Sequence, residues 1–265
     1  MNQPDSEIRP ASRAIVNPMD LTGRRILVTG GSSGIGQGTA IRLSELGAEV
    51  IAVGRDPQRL EETVGKLAGG GHASQVFDLT RVEDIPAWME RVAAQTGPLD
   101  GVVHSAGVSV NIPLRVLSVK ALRETTTINL DAAIMLVRGF RRKSVCREGG
   151  SIVLISSVAA FHGLAGLAAY AASKGGLVSV TKTLAVELAA ERMRVNCVVP
   201  GLVETPMYHA YRGLAGEEKV GREESLHPLG LGQPLDVANL IAFLLSDAAR
   251  WITGESIAVD GGYLA

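Results

Sequence analysis

Tyr170 and Lys174 are the residues of this chain whose types and spacing point most directly to chemistry. They stand four positions apart in Tyr170-Ala-Ala-Ser-Lys174, so on a helix both side chains share one face. An ammonium beside a phenol favours the phenolate and draws the tyrosine pKa below its usual value of about 10. A phenol tuned in this way can give or take a proton near neutral pH. Ser157 stands thirteen residues earlier, just past the apolar run 152–155, where its hydroxyl can hydrogen-bond a substrate oxygen. A third element is the run Thr29-Gly30-Gly31-Ser32-Ser33-Gly34-Ile35-Gly36. Glycines allow a tight turn and a close backbone approach to a pyrophosphate, and a helix starting there offers free N–H donors and a positive dipole end. Taken alone, each signal has a plain alternative: a Tyr and a Lys that merely share a helix, a serine that caps a connection, glycines that only turn the chain.

The scaffold must bring 29–36, 157 and 170–174 to one place. The hydrophobic pattern predicts strands at 25–28, 50–53, 73–77, 101–104, 151–155, 194–198 and 256–259. Between them it predicts helices over 35–46, 57–67, 82–94, 119–145, 168–190 and 235–245. Runs such as 152–155 are apolar at every position, which means that both sheet faces are covered. Strands alternating with helices require right-handed crossovers. The expected fold is α/β, a single doubly wound (Rossmann-type) parallel sheet with helices on both faces. Ligands of such sheets sit beyond the carboxyl ends of the strands, where all three signals fall. Residues 21–265 form one expected domain, after a flexible N-terminal arm over 1–20 and with a substrate lid around 205–229.

Composition removes several function classes. A net charge of -1 leaves no electrostatic footprint for nucleic acid or an anionic membrane. The one basic cluster, Arg138, Arg141, Arg142 and Lys143, reads as the solvated end of a helix. No apolar run is long enough to span a bilayer, and the first twenty residues, with Asp5 and Glu7, do not read as a signal peptide. Cys146, in a polar loop, and Cys197, in a strand, lack metal spacing and suit a reducing cytoplasm. The five histidines show no ligand spacing either, so no metal site is expected.

The glycine run, Ser157, Tyr170 and Lys174 together resemble the short-chain dehydrogenase/reductase family, in its compact single-domain branch. The resemblance extends over 21–262 and includes Phe77-Asp78-Leu79, Ile128-Asn129-Leu130, Pro200-Gly201, Thr205-Pro206-Met207 and Val259-Asp260-Gly261-Gly262. It implies interconversion of a carbonyl and a secondary alcohol by hydride transfer. Tyr170 would be the general acid or base, Lys174 would lower its pKa and bind the nicotinamide ribose, Ser157 would orient the substrate oxygen, and Asn129 would hold a relay water. The cofactor would lie along Gly30, Ser32, Ser33, Gly34, Ile35 and Gly36, then Arg55, Asp78, Leu79, Ser105, Ala106 and Gly107. Its nicotinamide end would meet Tyr170, Lys174, Pro200, Gly201, Val203 and Thr205. One departure stands out: His104-Ser105-Ala106-Gly107 replaces the family's usual Asn-Asn-Ala-Gly. A buried neutral His104, with one donor and one acceptor, can brace the sheet as an amide would.

At the end of the second strand the family's acid is replaced by Gly54, followed by Arg55 and Asp56. A guanidinium suits a 2′-phosphate, which favours NADP(H) over NAD(H). His162, Leu164, Met207 and Tyr208 are expected to touch a small-molecule carbonyl or alcohol, together with Ser157. Apolar faces on the helices at 119–145 and 168–190, and the apolar C-terminus, predict a homotetramer. The resemblance is to 3-oxoacyl-carrier-protein reductases and sugar or polyol dehydrogenases, which the sequence does not separate. A cofactor-binding sensor or scaffold without turnover, and an epimerase or dehydratase that uses the cofactor transiently, stay open as alternatives.

Overall fold

Seven parallel strands carry the site: β1 (Arg25–Thr29), β2 (Glu49–Gly54), β3 (Ala73–Val76), β4 (Leu99–His104), β5 (Cys146–Ile155), β6 (Arg194–Pro200) and β7 (Ser256–Val259). In the computed structural model, which describes residues 17–265, they form one sheet in the order β3-β2-β1-β4-β5-β6-β7. Positions 1–16 of the expected N-terminal arm lie outside the described residues.

Alternation along each strand sends neighbouring side chains to opposite faces. Leu27, Val102, Ile152, Leu154 and Val195 enter one core, with Trp88, Met89, Phe140 and Leu177. Those partners lie on α3 (Ile85–Thr96), α5 (Ala132–Phe140) and α6 (Ala168–Leu188). Ile26, Val28, Val103, Val153 and Val198 enter the other, against Leu43 and Ile241 of α1 (Gly34–Glu45) and α9 (Pro234–Leu245). The doubly wound sheet expected from the apolar runs is therefore the one observed. The peripheral α2 (Pro57–Val64) starts where the Asp56 carboxylate accepts the Arg59 N–H at 3.2 Å.

Three expectations change. The helix expected over 119–145 is broken: α4 (Val119–Thr126) runs into a π turn, Thr127–Asp131, before α5. There the Ala132 N–H reaches back five residues to the Thr127 carbonyl, and Asn129 is buried at the turn. Cys146, expected in a polar loop, is the buried first residue of β5. The segment around 205–229 is largely helical: α7 (Pro206–Ala215) and α8 (Glu217–Ser225) meet at Gly216, whose φ of 82° lies in the region glycine tolerates. Thr205 starts α7 by accepting the Tyr208 N–H at 3.2 Å, and Pro206 fixes its first turn. The basic cluster ends α5 as expected, with Arg141 paired to Glu191 at 2.6 Å and Arg142 to Glu90 at 2.7 Å.

Candidate active site

The chain leaves β1 towards one face of the sheet and leaves its neighbour β4 towards the other, so a crevice opens between their carboxyl ends. Backbones approach closely there. A Cβ on Gly30, whose φ is +68°, would lie 2.9 Å from the Ala106 backbone, and one on Gly36 would lie 2.2 Å from the Gly30 carbonyl. α1 then begins at Ser33 with no side-chain cap, leaving first-turn N–H groups and the positive dipole end facing the crevice. That combination fits a dinucleotide pyrophosphate.

A buried polar network fixes the crevice wall. The Ala106 N–H donates to Thr29 Oγ1 at 3.2 Å, and Thr29 Oγ1 lies 3.0 Å from His104 Nδ1. His104 Nε2 lies 3.2 Å from the Ile128 carbonyl. A carbonyl only accepts, so Nε2 carries the proton and Nδ1 accepts from the threonine hydroxyl. Burial, with Lys174 nearby as a lesser cause, pushes the His104 pKa from 6.5 down to about 3. His104 thus braces β1, the loop after β4 and the π turn as a neutral ring.

From that π turn Asn129 accepts the Val108 N–H at 2.8 Å and donates to the Val108 carbonyl at 3.0 Å and to Ser173 Oγ at 2.9 Å. Ser173 and Lys174 lie on α6, where Tyr170 is one turn earlier. Lys174 Nζ donates to the Ile155 carbonyl at 2.7 Å and stands 5.6 Å from the Tyr170 ring centre. Burial pushes the ammonium down from 10.5 to about 8. The expected lowering of the Tyr170 pKa is reversed: burial raises it, against a smaller lowering by its hydrogen bond with Ser157. Lysine and tyrosine do share a face, yet it is desolvation of the phenolate that sets the direction. The site therefore holds a neutral phenol beside a serine hydroxyl.

These groups open into one cleft of about 430 Å³. Gly30, Ser33, Gly34, Ile35, Gly36, Ser105, Ala106, Gly107, Pro200, Gly201, Val203 and Thr205 line it, as do Ser157, Tyr170, Lys174, Leu164, Met207 and Tyr208. Asn129 stands one layer behind the wall: a Cβ on Gly107 would meet Asn129 Oδ1 at 3.2 Å and Lys174 Nζ at 3.4 Å.

The sequence pattern of the family described as enoyl-(acyl carrier protein) reductase matches residues 30–264. A 3-oxoacyl-[acyl-carrier-protein] reductase of Thermotoga maritima is 35% identical over 92% of this chain and 99% of its own length. Cis-4-hydroxycyclohexanecarboxylate dehydrogenase of Sinomonas cyclohexanicum is 36% identical over 91% of this chain and 97% of its own. The chain belongs to the short-chain dehydrogenase/reductase family. Among solved structures, a protein of Beutenbergia cavernae described as a putative NAD(P)-dependent gluconate 5-dehydrogenase, with NADP bound at low occupancy, superposes with a TM-score of 0.85 at 37% identity, covering 94% of this chain and 99% of that one. The chain is accordingly an oxidoreductase of the dehydrogenase/reductase type.

In this short-chain dehydrogenase/reductase four of the predicted cofactor residues do not line the cleft: Ser32 follows β1, Arg55 follows β2, and Asp78 and buried Leu79 follow β3. Ser32 Oγ would lie 3.3 Å from a Cβ on Gly54. Asp78 accepts the Thr80 N–H at 3.0 Å, which holds its carboxyl below the usual range, with the Arg55 charge as a smaller cause. Asp56 accepts the Arg59 N–H as the cap of α2. His162 is not brought into the cleft; its ring packs edge-on against Tyr263, 5.1 Å away. Tyr263 belongs to the C-terminal tail, which packs here beside His162. Sequence reasoning missed Asn111, Lys219 and Glu223, which line the cleft, and the pairing of Tyr211 with Glu223 at 2.7 Å across the lid. The acid-rich stretch of α8 was the available signal.

Proposed function

We propose that this oxidoreductase interconverts a carbonyl and a secondary alcohol with NADP(H), using Tyr170 as the proton donor and acceptor. The observation that carries this reading is the convergence of Ser157, Tyr170 and Lys174 in the same cleft as the uncapped start of α1. When bound, the nicotinamide supplies or takes the hydride. Tyr170 is held as a neutral phenol, the form that protonates the carbonyl oxygen during reduction. Ser157 orients that oxygen. Lys174, with a pKa of about 8, retains a proton at neutral pH that can follow the one given up by the phenol. Asn129, anchored on both sides of Val108, holds the inner end of that path.

Preference for NADP(H) is supported by Gly54 and Arg55, and by neighbours of Beutenbergia cavernae and Agrobacterium tumefaciens solved with bound NADP. Leu164, Leu167, Met207 and Leu214 give the cleft apolar walls suited to a moderately apolar ketone or alcohol. We propose separately that the protein is a cytoplasmic homotetramer. Val186 at 81% and Trp251 at 91% exposure supply uncovered apolar surface for subunit contact, and no helix among the described residues is long and apolar enough to cross a membrane.

The test is turnover of a ketone and alcohol panel with each cofactor, in wild type and Tyr170→Phe. The variant should lose about 100-fold or more in rate, the contribution usual for such a group, while NADPH affinity stays nearly the same. A variant keeping more than about a tenth of the rate overturns the assignment.

A further inference from the structure

His227 lies at the junction of three segments that border the cleft: the loop after β6, the lid helix α8 and the C-terminal tail. Its side chain is buried, with 4% exposure for the residue. Both ring nitrogens are engaged. Nδ1 lies 3.0 Å from the Glu223 carbonyl, so it carries the proton, and Nε2 accepts the Leu202 N–H at 3.0 Å. Glu223 turns its carboxylate to the Tyr211 hydroxyl at 2.7 Å, and Leu202, Tyr211 and Glu223 all line the cleft. The Tyr263 ring covers the imidazole at 4.7 Å between centres. Gly201 leaves room for the ring, since a Cβ there would stand 2.8 Å from Nε2 and 2.9 Å from Asp260 Cα.

We propose that His227 is a positioning residue that docks the substrate lid onto the cofactor-side loop, by giving a donor to the Glu223 carbonyl of α8 and an acceptor to the Leu202 N–H of the loop after β6. Without the ring both backbone groups lose this partner, and among the described residues no other hydrogen bond ties Leu202 to α8. The neighbouring carboxylates are turned to other donors: Glu223 takes the Tyr211 hydroxyl, Glu224 the Tyr208 hydroxyl, and Asp260 the N–H groups of Gly262 and Leu264. The imidazole is therefore the side chain that links the lid to the loop.

This inference rests on reading α7 and α8 as the substrate lid, so one measurement is independent of turnover. Deuterium exchange of the 217–227 segment is compared in wild type, His227→Gln and His227→Ala. His227→Ala should exchange about fivefold faster or more, and its substrate KM should rise by a similar factor with kcat changing less, the worth of about one lost hydrogen bond. His227→Gln offers an amide oxygen to Leu202 and an amide N–H to Glu223, so it should restore protection and KM. A His227→Gln variant that exchanges as fast as His227→Ala overturns the proposal. So does a protected segment in His227→Ala. Exchange that follows the prediction while no ketone is turned over leaves the docking role standing and removes the proposed reaction instead.

Discussion

His104 should make the protein sensitive to acid in a way that a single substitution removes. In the unfolded chain the imidazole takes up a proton near 6.5, and in the folded chain burial delays this to about 3. Between those values the unfolded chain binds more protons, so stability falls as pH falls. Each pH unit in that window is worth about 1.4 kcal/mol, giving about 2 kcal/mol lost by about pH 5 and about 5 kcal/mol in the limit. His104→Asn keeps one donor for the Ile128 carbonyl and one acceptor for the Thr29 hydroxyl but has no proton to gain. Urea unfolding of both proteins at about pH 7 and about pH 5 isolates the effect, because the other histidines are common to both. Wild type should lose about 2 kcal/mol more than the variant on acidification. Parallel losses would refute a neutral buried His104, and with it the tautomer assignment that links β1 to the π turn.

Arg55→Ala should weaken NADPH binding by about tenfold to a hundredfold, the worth of a charge-assisted bond to the 2′-phosphate, while NADH binding barely changes. Adding Gly54→Asp should turn the preference towards NADH; a wild-type kcat/KM that already favours NADH sinks this reading. Gly36→Ala would place a methyl group 2.2 Å from the Gly30 carbonyl, so the turn must shift. Titration should show NADPH affinity at least about tenfold weaker, since the backbone no longer fits the pyrophosphate. Sedimentation at micromolar concentration should give a tetramer, and a monomer alone would overturn the subunit contacts inferred from Val186 and Trp251.

The parts of the fold legible in the sequence are those that burial dictates residue by residue. Val102 and Val103 face opposite cores, and a strand with both faces covered must read as continuous apolar sequence. The spacing of Tyr170 and Lys174 was legible because helical geometry alone puts them on one face. The π turn was not, because one extra residue in a turn leaves the apolar pattern of 119–145 nearly intact. Its trace is Asn129, a polar residue mid-helix that is buried and bonded to the distant Val108 backbone. α7 carried a start signal in Thr205-Pro206, but the glycines and acids that follow concealed it.

The Tyr170 pKa was misread for a different reason: pair spacing says which charges are near but nothing of how much water is excluded. Here exclusion decides the direction for Tyr170, Lys174 and His104 alike. His162 and His227 extend the point. Each looks isolated in sequence, yet both pack against Tyr263 of a tail that folds back beside the cleft, and His227 takes its bonds from Leu202 and Glu223. Residues whose function is set by local spacing can be found by reading along the chain. Those whose function is set by what covers them need the fold, and in this protein they are the histidines.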